Sequence, residues 1–206
     1  SEFPDTFYCS AGDTQTEIEV ERVFQEFKRQ SFVPHLSILN AGIYEVDIDP
    51  QISIEKIRST FDPNYFGSMY WVDRLHPLYI KQGTGQFIAI SSLVSFQPDH
   101  LSVSYPGSKA ALSLAFRSLQ SRHRDNRIKF KVIHFGPVDT LVLPRYASSK
   151  KKFWIMSPQQ VAKCVTNCID RNAESFHYPR LLKTIFWVIS KLPDWLYFRI
   201  TKNFRR

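Results

Sequence analysis

The stretch Ile90-Ser-Ser-Leu-Val-Ser-Phe-Gln-Pro-Asp-His-Leu-Ser-Val-Ser-Tyr105-Pro-Gly-Ser-Lys109 decides the reading of this chain. Tyr105 and Lys109 stand four apart, so on a helix they share a face. A phenol with its ordinary pKa of about 10 is a poor base at neutral pH. An ammonium beside it favours the phenolate and pulls that value toward the working range. Ser92 lies thirteen residues upstream of Tyr105, at the end of an apolar, strand-like run. From there it returns to the same spot and can hydrogen-bond a substrate oxygen. Ser91 is the alternative; the spacing favours Ser92. Together the three residues make a proton-transfer site for interconverting an alcohol and a ketone.

Outward from that stretch, apolar runs alternate with segments of helical period. Thr6–Ala11 reads as a strand, broken at Gly12-Asp13-Thr14, and residues 17–28 carry Ile18, Val20, Val23, Phe24 and Phe27 on a helical period. Leu36–Leu39 is a second strand, ended by Asn40-Ala41-Gly42. Residues 51–81 read as a long, mostly helical segment with Pro63 early in it, and Gly83-Thr-Gly85 is a turn. Gln86–Ile90 is the third strand, Ser104–His123 a helix that accepts Pro106 in its first turn, and Lys129–Phe135 the fourth strand. Ser157-Pro158 opens a further helix to about Asp170, as Ser at the N-cap and Pro at N1 do. Strands alternating with helices of this length imply βαβ units and an α/β fold with a doubly wound, mostly parallel sheet.

Composition agrees with one domain. The chain has 206 residues, 43% hydrophobic and 22% charged, enough for a sizeable core. Its three cysteines, Cys9, Cys164 and Cys168, show no disulfide framework or metal-ligand cluster, which points to a reducing, cytoplasmic setting. The six histidines have no metal-like pairing and read as surface or core residues, so no metal is expected. The net charge is +8, and Lys150-Lys151-Lys152 and the C-terminus hold much of it. No nucleic-acid motif accompanies this charge, so nucleic acid is not an expected partner.

These residues together resemble the classical short-chain dehydrogenase/reductase family. The Ser, Tyr-x-x-x-Lys and Asn-Ala-Gly elements fall in family order and at family spacing over roughly residues 5–178. Asp13 precedes Asn40 by 27 residues, as the family's third-strand Asp precedes its Asn-Ala-Gly turn. Asn64 matches the family's helix Asn, and Gly136-Pro-Val-Asp-Thr140 resembles its Pro-Gly-x-Val-x-Thr loop. The resemblance implies a Rossmann-type fold and a cofactor, NADP or NAD, with NADP slightly favoured. It implies that Tyr105 is the acid/base, that Ser92 orients the carbonyl, and that Lys109 lowers the Tyr105 pKa and holds the nicotinamide ribose. Asn64 then holds a water that links Lys109 to solvent. Asp13 lies near the adenine, Asn40, Ala41 and Gly42 line the adenosine half, and Gly136, Val138 and Thr140 reach the nicotinamide side. Residues 141–156 form the substrate loop, and the long helices at 51–81 and 104–123 make the family's usual homodimer contact.

Leu39 stands where the family has a first Asn, and Phe135 where it has a Pro. The larger departure is the missing strand, glycine-rich turn and helix that open a dinucleotide fold. The chain is therefore expected to be an N-terminally truncated form of the fold, with the strand ending at Asn40 left open at one edge and cofactor bound weakly. A catalytically inactive remnant that binds without turnover is the alternative function.

Residues 179–206 form a basic, aromatic extension beyond the domain at 1–178. From Arg180 onward the cations are Arg180, Lys183, Lys191, Arg199, Lys202, Arg205 and Arg206, against Asp194 alone. Leu181–Phe204 is apolar but interrupted by Lys183, Lys191, Pro193 and Arg199, which suits an interfacial helix pair at a membrane surface and not a span. The same aromatics would serve equally as cover for a substrate pocket or a dimer contact. Some members of the family that this chain resembles carry a similar tail and act on lipid-like substrates, so the resemblance implies a small, hydrophobic or lipid-like substrate.

Overall fold

A computed structural model describes residues 9–46, 51–99, 101–124, 127–140 and 154–201. Polar side-chain caps start three of the described helices. Thr16 accepts a hydrogen bond from the Glu19 N–H to open α1 (Glu17–Arg29), and Ser53 accepts from Lys56 N–H to open α2 (Ile54–Phe61). Ser157 and Gln160 form a reciprocal capping box at α5 (Pro158–Ile169). Between the helices run β1 (Leu36–Leu39), β2 (Gly85–Ser92), β3 (Ile128–Phe135) and β4 (Ser175–Tyr178), with α3 (Gly67–Gln82) before β2 and α4 (Ser104–Arg122) after it. The four strands are all parallel, in the order β1-β2-β3-β4. Among the described residues the other edge of β1 carries no strand.

Both faces of the sheet are covered, so its central strands are apolar almost throughout. Phe87, Ala89, Phe130 and Val132 pack against Phe24 of α1, Val72, Leu75 and Tyr79 of α3, and Leu112 and Phe116 of α4. On the opposite face Ile88, Ile133, Phe135 and Phe176 pack with Cys168 of α5. Lys131 is the buried charged residue on β3, whereas Lys129 is exposed. The Lys131 Nζ donates to the carbonyls of Cys168, Ile169 and Arg171 at 2.9, 2.7 and 2.6 Å, which satisfies the open C-terminal end of α5.

Two departures from the sequence reading bear on the site. The strand expected over Thr6–Ala11 is not formed at residues 9–11, and 6–8 lie outside the described residues. There the polar groups go to α1 instead of a ladder: Ser10 Oγ donates to Glu26 at 2.5 Å, and the Ala11 carbonyl accepts from Arg22. The long helical segment is joined by a π turn, Asp62–Phe66, between α2 and α3. Pro63 has no N–H to continue the α ladder, and the Gly67 N–H bonds back to the Asp62 carbonyl, five residues earlier. This turn faces Asn64 inward. α6 (Arg180–Ile189) and α7 (Asp194–Thr201) then close the described chain as a helix pair. Among the described residues no helix is long and apolar enough to cross a membrane.

Candidate active site

Parallel strands bring three loops to one sheet edge. Asn40-Ala41-Gly42 follows β1, Ser92 ends β2, and Gly136 follows β3, with Ser92 in register with Phe135. Ser92 is 9% exposed and its Oγ accepts from the Val94 N–H at 3.3 Å, which starts a short 3-10 turn, Leu93–Phe96. Ser91 points elsewhere: its Oγ bonds the Lys109 carbonyl at 3.1 Å and lies 2.7 Å from Ser113 Oγ. The first turn of α4 brings the Tyr105 side chain beside that of Ser92, close enough for Ser92 to influence the phenol's titration. One turn on, Lys109 is 5% exposed and its Nζ donates to the Ile90 carbonyl at 3.0 Å.

Asn64 reaches the same place from the π turn. Its Oδ1 accepts from the Ile43 N–H at 2.7 Å, while its Nδ2 donates to the Ile43 carbonyl and to Ser108 Oγ, both at 3.0 Å. Ser108 donates in turn to the Tyr105 carbonyl at 2.8 Å. Asn64 is thus a clamp between the turn after β1 and the helix that carries Tyr105. Gly42 marks where the groups converge. A Cβ there would stand 2.9 Å from Asn64 Oδ1 and 3.0 Å from Lys109 Nζ.

Burial governs the electrostatics. It pushes the Tyr105 phenol above its ordinary value, the Ser92 hydrogen bond pulls it back, and the Asp99 carboxylate adds to the upward push. Lys109 does not figure among these causes; burial pushes its own ammonium down to about 8. The phenol is therefore held protonated at neutral pH, where the sequence had suggested a downward pull.

The remaining expected residues sit around this centre. The Asp13 carboxylate accepts from the Gln15 N–H at 2.9 Å, and the neighbouring Thr14 lines a groove beside β1 with Asn40 and Ala41. The loop after β3 is fixed by the Gly136 N–H on the Tyr178 carbonyl at 2.7 Å. A bridge pairs Val138 with Met156, and the Thr140 N–H donates to the Val138 carbonyl at 2.9 Å. Of the expected substrate loop, 141–153 lie outside the described residues. Among the described residues no group of His, Cys, Asp or Glu side chains is placed to hold a metal.

Three neighbours of the site had no sequence signal. Tyr44 meets the Tyr105 ring edge-on at 4.8 Å, and its hydroxyl donates to Asp99 at 3.4 Å. His134 lies behind Ser92, with Nδ1 3.4 Å from the Ser92 carbonyl and 3.2 Å from Ser95 Oγ, and it stacks on His177 at 4.7 Å. No spacing rule links these residues to Tyr105, because tertiary packing alone brings them there.

Comparison with known proteins agrees with this geometry. The family model described as short chain dehydrogenase matches residues 1–151. An uncharacterised oxidoreductase of Staphylococcus aureus strain MW2 is 29% identical over 112 residues, which are 54% of this chain and 48% of that protein. The 11-beta-hydroxysteroid dehydrogenase A of Sesamum indicum is 29% identical over 150 residues, 71% of this chain and 39% of that protein. The chain thus spans about half or less of the length of the curated relatives it matches. A short chain dehydrogenase of Burkholderia cenocepacia, solved in complex with NADP, superposes with a TM-score of 0.75 at 19% identity, covering 91% of this chain and 75% of that one.

Proposed function

Because the chain belongs to the short-chain dehydrogenase family, we propose that it is part of an NAD(P)-dependent oxidoreductase that interconverts an alcohol and a carbonyl at Tyr105. The convergence of the Ser92 and Tyr105 side chains, with Lys109 one helical turn away, is the observation that carries this reading. NADP or NAD, when bound, supplies the hydride chemistry. The residues present fit its nicotinamide–ribose half: the buried Lys109 ammonium, beside Asn64 at the Gly42 turn, would hold ribose hydroxyls. Asn40, Ala41, Gly42 and Asp13 would line the adenosine side, and Gly136, Val138 and Thr140 the nicotinamide side.

Burial favours one direction of proton transfer. A phenol pushed above its ordinary value holds its proton at neutral pH and can give it to an oxygen that becomes an alkoxide. Carbonyl reduction is therefore the direction we assign. Ser92 orients that oxygen, and the mostly protonated Lys109 contributes positive charge nearby. A hydrophobic substrate suits the aromatic wall of Tyr44 and Tyr105. The free cysteines fit a cytoplasmic setting. A homodimer through the long helices would cover Phe66 and Leu114, 42% and 63% exposed.

The test is NADPH or NADH oxidation by the purified chain across a panel of apolar ketones, with cofactor binding followed by fluorescence. Turnover of at least one ketone is expected. Cofactor binding without turnover would leave the inactive binding module, and neither binding nor turnover would overturn the oxidoreductase reading for this chain.

A further inference from the structure

The outer faces of α6 and α7 bear more exposed apolar surface than their packing uses. On α6, Leu182 is buried and Phe186 and Ile189 are half-buried, at spacing i, i+4, i+7. The adjacent row, Leu181, Ile185 and Val188, has the same spacing and is 59%, 38% and 51% exposed. Trp187 is 58% exposed between Lys183 and Lys191, and on α7 Trp195 and Phe198 are 67% and 46% exposed beside Arg199.

These faces belong to a fixed part of the fold. The Tyr197 hydroxyl donates to the Pro98 carbonyl at 2.6 Å, in the loop between Ser92 and Tyr105. Leu182 lies against Gly136, where an added Cβ would meet its Cδ1 at 3.1 Å. The inner sides of both helices therefore touch loops that border the site.

We propose that the exposed faces of α6 and α7 dock on an anionic lipid bilayer, with the site's cleft beside the lipid surface. Charge selects this occupant. The segment from Arg180 onward carries seven cations and one acid, a match for anionic headgroups. A second copy meeting this face across a twofold axis would set cation against cation. Exposed tryptophans flanked by lysines suit the headgroup level of a bilayer, and neither helix is long enough to span one. The docking surface goes beyond the chemistry assigned to Tyr105, and a binding readout keeps the two apart.

The test is flotation of the full chain with phosphatidylcholine vesicles, with and without phosphatidylglycerol. Flotation with the anionic vesicles, reduced by added salt, is expected. The Lys183→Gln, Lys191→Gln pair should lower partitioning about thirty-fold, at roughly fivefold for each lysine removed. Trp187→Ser with Trp195→Ser should abolish flotation with the thermal midpoint unchanged, since both side chains are exposed. Equal recovery with and without phosphatidylglycerol, no flotation on anionic vesicles, or full flotation of the tryptophan variant would overturn the proposal. So would a shift of the tryptophan variant from dimer to monomer in sedimentation, which would give the face to a second copy.

Discussion

Replacing Asn64 by Leu removes a clamp while keeping the number and branching of side-chain heavy atoms. Asn64 is fully buried, and its amide makes three hydrogen bonds, two to the Ile43 main chain and one to Ser108. Leucine leaves all three partners without it. Each lost bond costs about 1 kcal/mol net, and the half-buried position of Ile43 lets water take over part of the loss, so about 3 kcal/mol is the expected total. For a chain of this size that is a fall of roughly 6–12 °C in the thermal midpoint. Ser108→Ala removes one of the three bonds to Asn64 and also the Ser108 bond to the Tyr105 carbonyl, so it should cost about 2 kcal/mol. Thermal and urea denaturation of the three proteins measure both differences. A loss below about 1 kcal/mol for Asn64→Leu would refute the clamp and leave Asn64 with only the water-holding role that the family resemblance implies.

Gly42→Ala places a Cβ 2.9 Å from Asn64 Oδ1 and 3.0 Å from Lys109 Nζ, so NADPH affinity should fall at least tenfold by fluorescence titration. Unchanged affinity would show that the close approach of Gly42 to Asn64 and Lys109 does not support cofactor binding. The fold should also weaken in mild acid through His134. Burial first, then His177, pushes its imidazole down to about 3, whereas the unfolded chain titrates near 6.5. The unfolded state thus takes up a proton that the folded state refuses, so stability is full above about pH 6.5 and falls as the pH drops toward 3. At about pH 5 this one group accounts for roughly 2 kcal/mol. Urea midpoints across this range should fall for the native chain and fall less for His134→Phe; equal slopes would remove His134 as the cause.

Much of the fold was legible because its signals are local. Ser157-Pro158 and the periodicity of residues 17–28 depend on neighbours within one or two turns, and both helices begin where those residues place them. The parallel sheet followed from strand-like runs such as Lys129–Phe135 alternating with long helices, and the strand observed there starts one residue earlier, at Ile128. Thr6–Ala11 looked like a strand on the same grounds, yet Arg22 and Glu26 of α1 take the polar groups of Ser10 and Ala11. Ser175–Tyr178 went unread because a four-residue edge strand with a single buried side chain has almost no pattern. The spacing of Ser92, Tyr105 and Lys109 marked out the site. The inward turn of Asn64 depends on a π turn at Pro63, and the contact of Tyr44 with Tyr105 depends on tertiary packing, so neither could be read from spacing.

The central claim is that Tyr105 gives a proton to a carbonyl oxygen. Single-turnover reduction of an apolar ketone by the native chain and by Tyr105→Phe, at matched cofactor and substrate saturation, tests it most directly. The account predicts a rate about 10²–10⁴-fold lower for the phenylalanine variant, with its thermal midpoint nearly unchanged. A variant that reduces the ketone at the native rate would contradict it.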